Sequence, residues 1–155
     1  MNATDSVAET YRDLRAQALA QTPATLGVTV STIGVLMETG YPEGVVTLVA
    51  FIDGSTSMYF SHGGAIIGAG QHERSAAAAR VLVTLASKHL PEFAATKQFP
   101  LPETGRTRFF VIIADGVMTA EAAEDDLGNN RLPLSPLFHA GHELIAAIRE
   151  IDERT

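Results

Sequence analysis

Cysteine is absent from this sequence of 155 residues. Its absence excludes disulfide bonds, zinc sites built from thiolates and a cysteine nucleophile. Long apolar runs are absent too, since none approaches the ~20 residues that a membrane-spanning helix needs. Residues 1–17 are polar and of mixed charge, without the basic start and apolar middle of a secretion signal. We therefore expect a cytoplasmic protein with no membrane partner.

Basic residues are also scarce. The chain has 11 Lys and Arg against 18 Asp and Glu, which gives a formal net charge of -7. Nucleic-acid binding usually needs a cluster of basic side chains, and here Arg106 and Arg108 are the closest approach to one. We interpret these two as charges that keep an edge strand from pairing with another chain. No nucleic-acid partner is expected.

The composition that remains is that of a globular protein. Hydrophobic residues make up 46% of the chain and charged residues 19%, which favours a packed core over disorder. A chain of this length normally forms one domain. We predict that residues 1–155 form a single α+β domain.

The strongest strand signals lie in residues 45–70. Residues 45–52 are almost unbroken in apolar side chains, as in a strand buried on both faces. Asp53-Gly54 predicts a two-residue hairpin turn, and residues 55–61 then alternate as a returning strand. With a further strand over residues 28–39, this predicts an antiparallel meander of three strands, to which residues 65–67 could add a fourth.

Helical and strand patterns divide the rest of the chain. Apolar side chains recur at helical spacing over residues 6–20, 73–89 and from residue 135 onward, and the middle helix is apolar almost all round, which predicts burial. Strands are predicted at residues 108–114 and 117–120, and loops at 92–105 and 121–131. The predicted order is α-β-β-β-α-β-β-α, a single antiparallel sheet of about five or six strands with three helices.

This order of elements is similar to that of the roadblock/dynein light chain and profilin-like modules. The resemblance implies a small domain that dimerises or binds a partner protein. The two apolar strands support the same expectation, because a dimer interface would cover sheet faces that three helices leave bare. We therefore predict a non-catalytic module without a cofactor, which forms a homodimer or binds a protein partner.

A glycine-rich segment supports an alternative. Gly63, Gly64, Gly68 and Gly70 follow a strand and precede a helix, where backbone N–H groups and the helix dipole can hold an anion, assisted by Arg74. The spacing matches neither the dinucleotide fingerprint nor the phosphate loop. Tight turns and close packing also explain these glycines. The alternative is a phosphate- or nucleotide-binding protein, or a hydrolase, that uses residues 63–74.

The final helix supports another alternative. His139, His142 and Glu143 stand three and four positions apart, a spacing that allows shared metal ligation, with His62 or His72 as a possible further ligand. This is not the zinc-protease motif, and exposed histidines explain it more simply. The alternative is a metal-dependent enzyme.

Other polar groups do not predict a site. Ser61 and His62 are neighbours in sequence, but a catalytic pair has to meet in space with a third group, and no nucleophile elbow is present. Residues 124–126 are acidic but lack the pattern of a calcium loop.

Overall fold

An antiparallel sheet forms the centre of the molecule in a computed structural model that describes residues 7–154. Within these residues its strands are β1 (Thr32–Tyr41), β2 (Gly44–Phe51), β3 (Thr56–Phe60), β4 (Ala65–Ile67), β5 (Ala94–Thr96), β6 (Arg106–Ile113) and β7 (Gly116–Ala123). Their spatial order is β4-β3-β2-β1-β6-β7-β5. The two longest apolar runs, in β2 and β6, therefore lie directly beside the central strand β1.

Helices pack on both faces of this sheet. Over the same described residues they are α1 (Glu9–Leu19), α2 (Pro23–Leu26), α3 (Glu73–Lys88), α4 (Glu124–Gly128) and α5 (Ser135–Arg154). The predicted class, α+β with a single antiparallel sheet, is confirmed. The predicted counts are too low because β5, α2 and α4, which were not predicted, have only three to five residues each, too few to show a periodic pattern. Residue 6, where the first helix was predicted to begin, lies outside the described residues.

The acidic segment after β6 differs from its prediction as a loop. β7 continues to Ala123, and α4 follows directly. Glu121 can lie inside a strand because Arg108, opposite it on β6, reaches its carboxylate at 3.3 Å. The interpretation of Arg106 and Arg108 as edge charges is therefore wrong, since β6 lies between β1 and β7.

Three further predictions are corrected. Residues 94–96 of the predicted loop 92–105 pair with β7 as strand β5. Helix α3 is buried on one side only, and Val81 is 60% exposed, because the many alanines around α3 add little apolar area to its outer side. The turn at Asp53-Gly54 is longer than two residues, since Ala50 pairs with Thr56.

The first face of the sheet, called here the α3/α5 face, is covered by the two long helices. Its buried strand residues pack against buried side chains of α3 and α5 such as Leu82 and Leu144. Gly141 allows α5 to approach β1 closely, because a Cβ atom at this position would lie 2.5 Å from the sulfur of Met37. An alanine at this position would therefore require the end of the Met37 side chain to move.

The second face, called here the α1 face, is covered differently. Tyr11, Ala18 and Leu19 of α1 pack on part of it. Residues 97–101 cross another part, where the Phe99 ring meets the Phe110 ring edge-on at 5.7 Å. No helix within residues 7–154 is long and apolar enough to cross a membrane.

Candidate functional site

A cavity of about 390 Å³ opens on the α1 face, between α1 and residues 99–101. This volume falls in the range of ~300–1,000 Å³ that is typical of small-molecule sites. Its apolar lining comes from Val7, Ala16, Leu19 and Ala20 together with Phe99, Pro100 and Leu101. We call it the α1 cavity.

The local sequence explains both walls of the α1 cavity. Arg12, Arg15, Ala16 and Leu19 line it because they recur three and four residues apart on one side of α1. On the opposite wall, Pro100 has no N–H group to donate to a strand ladder. Residues 99–101 therefore lie over the sheet face as an irregular segment instead of adding a strand.

A buried ion pair lies beside the cavity. Glu38 of β1 is fully buried, and Arg15, which is 13% exposed, binds it through two bonds. Nε of Arg15 donates to Oε2 of Glu38 at 2.6 Å, and Nη2 donates to Oε1 at 2.8 Å. The hydroxyl of Thr47, directly opposite on β2, donates to Oε2 at 2.9 Å. Three donors thus compensate the loss of water around this carboxylate.

Tyr11 completes the network as a neutral phenol. Because the hydroxyl hydrogen of Thr47 points to Glu38, the Tyr11 hydroxyl is the donor in the 2.6 Å bond between Tyr11 and Thr47. Burial raises the pKa of Tyr11 strongly, and the negative charge of Glu38 raises it further. Tyr11 therefore remains protonated and does not act as a base.

Arg15 connects three parts of the structure. Its Nη2 atom also donates to the backbone oxygen of Phe99 at 2.9 Å, and its guanidinium carbon lies 5.5 Å from the centre of the Phe110 ring. Burial lowers the pKa of Arg15, but the hydrogen bonds and the charge of Glu38 raise it more, so the net shift is upward. Arg15 stays charged and holds α1, the sheet and residues 99–101 together around the cavity.

The residues predicted for two separate sites meet in a second cavity. Arg74 of α3 and His139, His142 and Glu143 of α5 all line it, and its volume is also about 390 Å³. Arg74 forms an ion pair with Glu150 of α5. The two helices pack against each other here, which brings Arg74 beside the predicted metal ligands, whereas none of the four predicted glycines lines this cavity.

The two histidines of this cavity have different surroundings. His139 is exposed, and its Nε2 atom lies 2.8 Å from Oδ1 of Asn130. The ring of His142 lies 4.4 Å from that of Phe138, and its buried Nε2 atom has no hydrogen-bond partner. Burial lowers the pKa of His142, and the nearby charges of His139 and Arg149 lower it further. His142 is therefore held in its neutral form.

The metal prediction receives no support from this geometry. Across residues 7–154, no group of three or more His, Cys, Asp or Glu side chains is placed to hold a metal ion. Neither His62 nor His72 lines the cavity with His139 and His142. Ligation by His139, His142 and Glu143 stays a prediction.

The predicted glycines have backbone roles. Gly63, Gly64 and Gly68 have φ angles of 121°, 92° and 83°, which favour glycine. A Cβ atom on Gly70 would collide with the backbone oxygen of Gly54. Turns and a close crossing thus account for these glycines, and anion binding by them stays a prediction.

The α1 cavity and its ion pair were not predicted from the sequence. One signal was present, because Glu38 follows an apolar run near the end of the strand predicted over residues 28–39. The strand continues to Tyr41, so Glu38 is an acidic residue inside a buried strand. Such a residue needs a cation, and Arg15 on the amphipathic helix was a candidate.

Comparisons with models of protein families, with curated proteins and with solved structures found no match. The similarity in element order to roadblock and profilin-like modules is therefore supported by no structural neighbour.

Proposed function

We propose that this chain is a non-catalytic binding module that takes an apolar ligand in the α1 cavity. The observation that carries the proposal is the way Arg15 holds both walls of the cavity to the sheet. A site that is already formed before its ligand arrives binds more tightly, because less conformational freedom is lost on binding.

The chemistry of the lining supports binding over catalysis. Among the described residues that line the α1 cavity there is no histidine, serine, lysine or carboxylate. Tyr11 is held as a neutral phenol, and the Glu38 carboxylate already accepts three hydrogen bonds. These groups hold the cavity in shape and are poorly suited to move protons.

An uncharged dye tests this proposal. N-phenyl-1-naphthylamine becomes fluorescent in apolar surroundings, and we expect saturable binding of one molecule per chain. Ala16→Leu would occupy part of the cavity and weaken binding by at least about tenfold, since apolar contacts of the dye would be lost. Ala77→Leu, the same change at an exposed position of α3, is the matched control and should bind the dye normally. Equal binding by both variants, or no binding by the unchanged protein, would contradict the proposal.

A homodimer remains part of the proposal as a second mode of interaction. The observation in its favour is Ile67, which is 64% exposed on the edge strand β4. Mass measurement in solution tests it, and Ile67→Lys should shift a dimer to monomer because a charge on an edge strand opposes pairing. A monomer at all concentrations would remove this mode. Binding of a protein partner and the cytoplasmic location also stay predictions.

Phosphate binding is a second candidate function, now centred on Arg74. The observation that favours it is the cavity shared by Arg74 and His139, two side chains that can carry positive charge. Phosphate should raise the melting temperature of the protein, and Arg74→Gln should abolish this rise. Arg106→Gln, which removes another arginine paired with a glutamate, is the control. An unchanged response in the Arg74 variant would contradict this function.

A further inference from the structure

We infer that the ligand of the α1 cavity is an amphiphile with an anionic head group, of the class of medium-chain carboxylates. This inference rests on the proposed function and specifies the ligand of the same site. It commits to a small molecule and not to a protein segment.

The charge of the lining is the first argument. Arg12 and Arg15 line the α1 cavity, and no acidic side chain of the described chain lines it. The whole chain, by contrast, has 18 acidic and 11 basic residues. Arg15 is paired with Glu38, but the arginine side chains still offer an anion charged hydrogen-bond donors in a chain of net charge -7.

The order of residues along α1 is the second argument. Arg12 lies in the first turn of the helix and Arg15 just past its middle, whereas Leu19 is the last helical residue and Ala20 the C-cap. From Arg12 onward, the side chains of α1 that line the cavity change from cationic to apolar. Residues 12–20 span ~12 Å at 1.5 Å per residue, which suits an extended chain of medium length with its head group near Arg12.

The fixed position of Arg15 is the third argument. Its bonds to Glu38 and Phe99 use Nε and Nη2, and its Nη1 atom takes no part in them. A guanidinium held in this way loses little freedom when it binds an oxyanion. Arg12 adds a second arginine to the lining, and the hydrogen bonds described for the Glu38 carboxylate come from Arg15 and Thr47.

Three probes with the same ten-carbon chain test the inference: decanoate, decanol and decyltrimethylammonium. Their affinities are measured below micelle-forming concentrations by displacement of the uncharged dye and by calorimetry. We expect decanoate to bind about tenfold more tightly than decanol and the ammonium probe to bind most weakly. The affinity for decanoate should fall as salt is added, whereas that for decanol should not.

Two variants locate the effect. Arg12→Gln should remove the preference for decanoate over decanol when both affinities are measured on the same variant. Arg80→Gln removes an exposed arginine of α3 that lies outside the α1 cavity, and it should change neither affinity. If Arg12→Gln fails to fold, the salt dependence of the unchanged protein still tests the inference.

The outcomes separate this inference from the proposed function. Equal affinity for decanoate and decanol would overturn the inference and leave an apolar binding site intact. Failure of the dye and all three probes to bind would overturn both. If decanoate instead dissociated a dimer, a second copy of the chain would occupy the cavity, and the small-molecule inference would be wrong.

Discussion

The two faces of the sheet are covered in different ways. On the α3/α5 face, helices of 16 and 20 residues cover the strands and fill the space with apolar side chains. On the α1 face, a helix of 11 residues leaves a cavity, and a buried ion pair holds its walls. The first face has the features of a folding core, and the second has those of a binding site.

Simple dimensions explain the difference. Seven strands at their usual spacing make a sheet roughly 29 Å wide, whereas one helix is ~10 Å across. Two helices cover most of a face, but one helix cannot. The irregular residues 97–101 cover part of what remains, and irregular backbone packs less densely than helices do. The α1 face has a cavity because less helix covers it than covers the α3/α5 face.

Removal of the buried cation should have the largest effect on stability. Arg15→Met leaves the Glu38 carboxylate buried with its partner lost, and the free energy of unfolding should fall by ~3–5 kcal/mol. The double variant Arg15→Met/Glu38→Met removes both charges and should recover most of this loss. Urea unfolding measures both. If the double variant were as unstable as the single one, the contacts made by the ion pair would stabilise the α1 face, and the unpaired Glu38 charge would not explain the loss.

A cavity made on the α3/α5 face should separate folding from binding. Leu82 of α3 is fully buried, and Leu82→Ala should lower the free energy of unfolding by ~2–5 kcal/mol. Dye binding at the α1 cavity should be unchanged at temperatures where the variant is folded. Leu19→Ala, on the α1 face, should alter dye binding as well. If Leu82→Ala weakened dye binding as much as Leu19→Ala, the two faces would not be functionally distinct.

The pH dependence of stability should come partly from His142. Its pKa in the folded protein lies below the ordinary value, so between these two pKa values the unfolded chain binds a proton that the folded protein does not. The contribution of His142 to stability is therefore complete above pH ~6.5. It decreases as the pH falls toward the pKa of His142 in the folded protein. The charged or titratable groups around His142 are His139, Glu143, Arg149 and, from α3, Arg74.

Thermal unfolding across this pH range measures the effect. His142→Asn should flatten the dependence below pH ~6.5, whereas His72→Asn, at an exposed position, should not. The same slope in both variants would assign the effect to another group.

The exposed ion pair should have the smallest effect. Arg74 and Glu150 join α3 to α5, but their side chains are 62% and 42% exposed. Arg74→Met should change the free energy of unfolding by no more than ~1 kcal/mol, because water already solvates both charges. Urea unfolding compares it directly with Arg15→Met. A loss as large as that of Arg15→Met would contradict the expectation that burial decides how strongly an ion pair affects stability.

Local patterns were enough to predict the class of fold. The apolar runs of β2 and β6 and the periodicity of α1, α3 and α5 are properties of neighbouring residues. The extension of β7 was missed because Glu121 looks like a loop residue until Arg108 is placed beside it. Its environment depends on the pairing of two strands.

The candidate site was missed for a similar reason. Arg15 meets Glu38 across 23 positions of sequence and the backbone of Phe99 across 84. Neither contact leaves a local pattern, and the cavity exists only where these distant segments meet. Arg74, His139 and His142 were predicted from local motifs, but their shared cavity follows from the packing of α3 on α5.

The strand order also has a consequence for folding kinetics. Strands β1 to β4 follow one another in sequence as neighbours in the sheet, so this half can form by successive short closures. The seam between β1 and β6 instead joins Glu38 to Arg108, and its closure costs much more chain entropy. We expect refolding to be limited by this seam. Substitutions in β6 should then slow refolding in stopped-flow experiments, whereas substitutions in β4 should mainly speed unfolding.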